Sequence, residues 1–307
     1  MPEIKIRPAT LDDAAAIAAI HQSTVDTWKD PATHQRTSYE VLDLYGRWRN
    51  GGAWMSVETC AVHLNRLLHE GEIPLIAEID GVPVGEAEYI ISREPAPFAS
   101  LHLSILYIHA QWQGHGVGQA LMDAGIAHAL RLRLPALTTQ PEKDAEAFYT
   151  HLGFAPWHKA KEMQLSTRGA EVPTVLPYHK GEKPFHSLAL RIGRYQCGPQ
   201  GWHVLKPALV LPPWSDLRRW VWLSESGDGP VVLGLCEQLT DPTQADGYAW
   251  LLPDAPLKPV VAALQGLGAE QGFSAVDLLL PAAEVPALKQ SFRLDYQTQV
   301  TIWRKAL

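Results

Sequence analysis

The residues of this chain with the plainest chemical meaning are Gln113, Gly114, His115, Gly116, Val117 and Gly118, the run QGHGVG. They follow a β-rich stretch, residues 101–109, and precede an apolar stretch of helical character, 119–132. A strand, a glycine turn and a helix start together hold phosphate. The first N–H groups of the helix point outward, and its macrodipole adds about 0.3–1 kcal/mol for an anion. Glycine lets the backbone approach the ligand without a Cβ in the way. Spacing separates this loop from other glycine motifs. A dinucleotide fingerprint needs G-x-G-x-x-G with an acidic residue about 20 positions later, and a triphosphate loop needs Gly-Lys followed by Ser or Thr. Here the glycines alternate at 114, 116 and 118, and no Gly-Lys pair follows. A plain tight turn into a helix accounts for one or two glycines, and less readily for three in alternation.

The loop fits the pattern Q/R-x-x-G-x-G/A through Gln113, Gly116 and Gly118, within ILYIHAQWQGHGVGQALM. Downstream, DAEAFYTHLGF fits A-x-x-x-Y-x-x-x-G-F through Ala145, Tyr149, Gly153 and Phe154. In this order and separation the two segments resemble the GNAT N-acetyltransferases, over about residues 3–165. Where the family often has an asparagine before the second segment, this chain has Glu142. That departure puts one cofactor contact in doubt. The resemblance implies acetyl-CoA as cosubstrate, with its pyrophosphate on the backbone of residues 113–118. The pantetheine arm would pair with the strand end at Ile108 and Ala110, as a peptide pairs with a sheet edge. It also implies direct transfer to a primary amine, with Tyr149 as the acid that protonates the leaving thiolate. A phenol with an ordinary pKa near 10 can do this.

The amine must lose a proton before it attacks, and a general base is worth about 10² to 10⁴ in rate. Strand alternation puts Glu86 and Glu88 on one face, and His102 lies on the next strand with Ser104 and Leu106 in its alternating set. All three are candidate bases, with the carboxylates ahead, since the family often uses a carboxylate on a central strand. The acceptor pocket of such folds lies along the first two helices and their connection. Here that region carries Asp26, Trp28, His34, Tyr39, Tyr45 and Trp48, and it suits an aromatic or amphipathic acceptor. If no base is present, the chain reads instead as a non-catalytic module that senses CoA or acyl-CoA.

The elements that must position these groups follow from period and punctuation. Thr10 is an N-cap, with Asp12 and Asp13 in the first helical turn. Further helices are expected over 38–49 and 57–69. Two strands flank Asp80-Gly81, a hairpin signal. After the glycine loop come a helix over 119–132, a strand over 134–138, a helix over 142–152 and a strand over 157–165. The fold class expected is mixed α/β, a central mixed sheet flanked by helices.

The length of 307 residues suggests two domains. We place a GNAT-like domain at 1–168, a connecting segment rich in Gly, Pro and His at 169–200, and a second, degenerate GNAT-like domain at 201–307. GPVVLGLCEQL at 229–239 aligns with GVPVGEAEYI, Gly234 falling on Gly85, and strand, helix, strand, helix and strand follow. At the loop position this second copy has APLKP, and Lys289 and Arg293 stand where Tyr149 and Gly153 stand in the first. One working cofactor site is therefore expected. The second copy is left to packing, pocket walls or homodimer formation.

Composition agrees with a globular protein, 46% hydrophobic and 19% charged. A net charge of -7 argues against nucleic acid as partner. The longest apolar runs fall short of the roughly 20 residues a membrane span needs. With no signal-peptide pattern at its start, the expected location is cytoplasmic and the expected partner a small-molecule or peptide amine. Cys60, Cys197 and Cys236 form no C-x-x-C pair and read as buried thiols. His109 and His115 flank the glycine loop and suggest no metal site.

Overall fold

A computed structural model describes residues 3–177, 186–206, 214–226 and 229–307. The chain forms two compact units that interleave along the sequence. The first comprises Met1–Ile91, Leu103–Arg133 and Ala208–Ser215; the second comprises Ser92–His102, Leu134–Pro207 and Asp216–Leu307.

In the first unit four strands lie side by side in chain order: β1 (Ile4–Pro8), β2 (Ile73–Ile79), β3 (Val82–Ser92) and β4 (Ser100–Ile108). Asp80 and Gly81 both have positive φ, 52° and 79°, which makes the β2–β3 connection the tight hairpin turn expected of an Asp-Gly pair. Thr10 closes a capping box with Asp13 over a 3-10 turn, Leu11–Asp13, that leads into helix α1 (Ala14–Gln22). Asp13 also holds Arg7 through two 2.7 Å contacts, so the helix start is tied to β1. The helix expected over 38–49 shrinks to one turn, α2 (Leu44–Trp48), capped by Asp43. The rest of that stretch lacks a buried apolar face, and a short helix without one does not sustain itself. Helix α3 (Val57–His69) starts at a Ser56 cap and buries Cys60, Leu64 and Leu67. Cys60 and Leu64 meet Ile17 and Ala18 of α1 and Ile76 of β2 in one core cluster.

Helix α4 (Val117–Arg131) follows the glycine loop. Gly125 on it sits so close to Tyr89 of β3 that an added Cβ would lie 2.3 Å from the phenol oxygen. The Tyr89 hydroxyl donates to Leu121 O at 2.9 Å. Small residue and phenol together set the spacing between helix and sheet.

The second unit contains β5 (Ala136–Thr139), α5 (Glu146–His151), β6 (Ala155–Ser166), β7 (Leu176–Pro177), β8 (Ala189–Ile192) and α6 (Gly198–Leu205). It continues with β9 (Arg219–Ser226), β10 (Gly229–Glu237), β11 (Gln244–Leu251), α7 (Leu257–Glu270), β12 (Ala275–Pro281), α8 (Val285–Leu288) and β13 (Leu294–Ala306). From β10 onward this is the element order of β3, β4, α4, β5, α5 and β6 met a second time. The strand order is β5-β13-β6-β12-β11-β10-β9-β7, with β8 on β11. Only β11 and β12 pair in parallel among the registered pairs of this unit, so its sheet is mixed.

The last strands of the two sequence halves are exchanged. β13 of the second half pairs with β5 of the first, Trp303 opposite Thr139, while β6 of the first half pairs with β12 of the second, Leu165 opposite Val276. β6 and β13 also pair with each other along most of their length. The segment 169–200 is more than a connection, because β8 within it is buried on β11 and Leu188, Leu190 and Ile192 enter the cores. Sequence alone showed no alternation there, since a fully buried four-residue strand has none to show.

Candidate functional site

The glycine loop is open where a phosphate would need it open. Gly114 and Gly116 have φ of 77° and 84°, a conformation that side chains with a Cβ rarely adopt. An added Cβ at either would meet nothing within 4 Å, so both glycines serve backbone shape and an unobstructed face rather than packing. Gly116 is the N-cap of α4, and no side chain caps that helix. His115 turns back, its Nδ1 at 2.9 Å from Gln113 O, and its ring stands edge-on to Trp112. Val117 is the buried residue that anchors the helix start. Against it lies Gly85 of β3, where a Cβ would come within 2.9 Å of Val117 Cγ1 and 2.8 Å of Ile108 Cδ1.

Of the two strand-end groups expected to meet a pantetheine arm, each has a partner within the protein. Ala110 N donates to Ser23 Oγ at 2.9 Å, and Ile108 O accepts from Gln113 Nε2 at 3.3 Å. The neighbouring His109 N donates to Val84 O. A ligand that uses Ile108 and Ala110 must displace two side-chain contacts, both of which are exposed.

Glu86 and Glu88 share one face of β3, as alternation requires, and both are almost fully buried. Their surroundings differ. Glu88 accepts from Trp54 Nε1 at 2.7 Å and from His63 Nε2 at 2.9 Å. Arg66 Nη2 lies 3.2 Å from His63 Nδ1, on the side of the ring away from Glu88. These donors, with the His63 and Arg66 charges, hold Glu88 below the usual carboxylate range despite its burial. Glu86 has no such set. Its carboxylate meets His21 Nε2, and burial together with the charge of Glu88 raises its pKa well above the ordinary value. Burial lowers His21 to about 3, so the imidazole is neutral. Two neighbouring carboxyls are thus driven apart in proton affinity.

The His21 ring stacks on Tyr107 of β4 at 3.9 Å between centroids and on Trp54 at 5.2 Å. Its Nδ1 is buried without a hydrogen-bond partner among the described residues. Sequence reading found the two carboxylates and missed His21, His63, Trp54 and Arg66. The missed groups come from α1, from the 3-10 turn Ala53–Met55 and from α3, all of which precede the β2–β3 hairpin. The only signal in the sequence was a set of polar residues on otherwise apolar helix faces, such as His21 beside Ile17 and Ile20.

The aromatic residues between α1 and α3 form two groups. Trp28 meets Tyr39 edge-on at 5.2 Å, with Arg47 over the Tyr39 ring at 4.0 Å. Tyr45 and Trp48 both contact Trp214. His34 has a positive φ of 58° in an exposed turn that Asp30 caps, and Asp26 is exposed to solvent.

Tyr149 and His102 belong to the second unit. Tyr149 ends α5 in a C-terminal cap: Phe154 N donates to Tyr149 O, Gly153 N donates to Thr150 O, and Gly153 has φ of 83°. That is the geometry in which glycine is favoured after a helix, and Phe154 packs edge-on against Tyr149 at 5.6 Å. Burial raises the Tyr149 phenol to about 12 against a hydrogen bond with Thr139, so it is fully protonated at neutral pH. His102 is wholly buried, with Nδ1 at 2.9 Å from Thr138 Oγ1, and burial lowers it to about 3. Cys60, Cys197 and Cys236 are free and buried. Among the described residues there is no cluster of His, Cys, Asp or Glu that could hold a metal, and no helix long and apolar enough to cross a membrane.

Residues 70–156 match the family of the acetyltransferase (GNAT) domain. A mycothiol acetyltransferase from Nocardiopsis dassonvillei is 36% identical over 81 residues, a stretch covering 25% of this chain and only 20% of that protein. Among solved structures, a GCN5-related N-acetyltransferase from Anabaena variabilis matches 99% of this chain and 73% of its own, with TM-score 0.61 and 10% identity. Another GCN5-related N-acetyltransferase, from Kribbella flavida, matches 100% of this chain and 71% of its own, with TM-score 0.56 and 13% identity. At these identities the likeness is one of fold, and it extends over both halves of the chain.

Proposed function

Since this chain belongs to the GNAT family through the domain at residues 70–156, we propose that it is an N-acetyltransferase that moves the acetyl group of acetyl-CoA directly to a primary amine. The observation that carries the reading is the glycine loop, whose open Gly114 and Gly116 backbone stands at an uncapped helix N-terminus. The residues present fit a pyrophosphate there by shape and by dipole. Bound acetyl-CoA supplies an activated thioester.

In the transfer, the amine lone pair attacks the thioester carbonyl carbon, the C–S bond breaks, and the sulfur leaves as thiolate. Glu86 is the base for the amine proton. An ordinary carboxylate, with a pKa near 4.3, is a weak acceptor for a proton from an amine near 10.4. Burial and the charge of Glu88 narrow that gap for Glu86. Glu86 is 1% exposed, and its hydrogen bond with His21 Nε2 is the contact through which a proton passes to it. Glu88 acts as the fixed negative charge that maintains the raised affinity of Glu86. His102, sealed in the second unit, is set aside as a base. Tyr149 keeps the role of acid on its motif position alone, and its phenol has the proton to give.

The second half is a degenerate copy without its own cofactor loop, so each chain has one working site. The acceptor is a small-molecule or peptide amine that meets the aromatic groups around Trp28, Tyr39, Tyr45 and Trp48. The test is thioester consumption over a panel of amines by the full chain and by Glu86→Gln. An accepted amine should lose about 10² to 10⁴ in kcat with the variant, with KM for acetyl-CoA little changed. Tight CoA binding without turnover on any amine would favour a non-catalytic acyl-CoA sensor instead.

A further inference from the structure

Glu86, the base of the transfer, is sealed from solvent, and its carboxylate meets His21 Nε2. His21 occupies the last turn of α1, and that turn is fastened to the strand end where the pantetheine arm is expected to pair. Ser23 Oγ donates to Ile20 O at 2.6 Å and accepts from Ala110 N at 2.9 Å. The imidazole plane is fixed as well. It lies within 19° of the Tyr107 ring and within 10° of the Trp54 ring, and Trp54 is itself held by its bond to Glu88. Tyr107 is half-buried and precedes Ile108, so the imidazole packs directly against a residue at the partly exposed end of β4.

Packing does not account for Nδ1. It is buried without a hydrogen-bond partner among the described residues, where polar atoms are normally paired. A neutral imidazole has one N–H and one bare nitrogen. With Nε2 committed to Glu86, the ring therefore presents an unmet donor or acceptor at Nδ1, whichever nitrogen holds the hydrogen. One nitrogen on the base and the other open is the arrangement of a proton carrier. The stacked rings serve the same end, since they resist the turn of the imidazole that would exchange its two edges.

We propose that His21 carries the proton from the acceptor ammonium to Glu86, taking it at Nδ1 and releasing it from Nε2. The relay rests on the acetyl-transfer reading and adds the route to its base. It starts from Glu86 as carboxylate: the ammonium N–H breaks as Nδ1–H forms, and Nε2–H breaks as the Glu86 O–H forms. The imidazole is neutral before and after, with its hydrogen moved from one nitrogen to the other. Burial opposes a resting imidazolium and so favours the coupled movement of both protons. The Nδ1 contact is made with the acceptor bound, as catalytic hydrogen bonds tighten in the Michaelis complex. After the product leaves, the two transfers in reverse return the proton to solvent.

The test is chemical rescue in the full chain, with an amine that the parent acetylates. His21→Ala should lose about 10² or more in kcat, with KM for acetyl-CoA unchanged. Added imidazole, with both nitrogens free, should restore about tenfold or more of that loss and do so saturably. N-methylimidazole, with one nitrogen blocked, should restore nothing. His21→Gln supplies a donor to Glu86 but cannot receive a proton at one atom and give it from another, so it should be as slow as His21→Ala. The parent's kcat in His21→Gln, equal rescue by the two imidazoles, or rescue by neither in a His21→Ala chain that still binds CoA would each overturn the relay and leave acetyl transfer standing. No turnover by the parent on any amine, or a Glu86→Gln variant as fast as the parent, would overturn the assignment of the base and the relay with it.

Discussion

Glu86 and Glu88 differ by two positions, and their neighbours make them chemically unlike. The shared face of the pair was legible, because a strand alternates with period two. The division of labour was not, because it depends on His21, His63, Trp54 and Arg66, which reach β3 from helices and a turn far away in sequence. His102 shows the reverse: a histidine on a suitable strand whose bond to Thr138 could not be foreseen from spacing. Glu72 allows an independent check on the electrostatics of the first unit. Its Oε2 accepts from Ile91 N at 2.6 Å, and burial raises it to about 7 against that bond and the Arg66 charge. A carboxyl whose folded pKa is raised contributes its full stability below the unfolded value near 4.5 and loses it as pH rises through about 7. The stability of Glu72→Gln relative to the parent should therefore increase from pH 4.5 to pH 7 and level off above. Urea denaturation across that window measures it, and a pH-independent difference would contradict the assignment.

At the scale of elements, the hairpin at Asp80-Gly81, the helix over 57–69 and the loop-to-helix step at Val117 followed from residue type, since each is fixed by local chemistry. The exchange of β6 and β13 did not. Each strand carries a pattern that satisfies either neighbour, and which one it meets is decided by the closing of the whole sheet. The exchange has a direct consequence. A fragment ending at residue 293 lacks the strand between β5 and β6 and exposes two sheet edges. Such a fragment should be insoluble or unfold without cooperativity, whereas one that melts sharply and binds CoA would show that β13 is dispensable. Helix α4 offers a finer probe. Gly125→Ala places a methyl group against the Tyr89 phenol and should cost about 1–3 kcal/mol, read as a lowered unfolding midpoint. An unchanged midpoint would mean that helix and sheet can part without loss.

Over the whole molecule, the element order from β10 to β13 repeats that from β3 to β6. Where the glycine loop would stand in that repeat, residues 255–259 read APLKP. Each unit is held by its own buried polar contacts. In the second unit the Glu94 carboxylate pairs with Arg194 and accepts from Leu190 N, Gly198 N and Ser92 Oγ at 2.7–2.9 Å. Arg194 is only 2% exposed, so Glu94→Ala leaves an uncompensated buried charge and should cost about 3–5 kcal/mol. Denaturant unfolding would record it, and a loss below about 1 kcal/mol would place the pair among exposed, weak ones. The central claim concerns the loop, and CoA binding tests it most directly. Calorimetric titration of the full chain should show one CoA per chain, with Gly116→Val weakening it at least about tenfold, because the left-handed backbone and the open face are both lost. Equal binding by the parent and Gly116→Val would contradict the account.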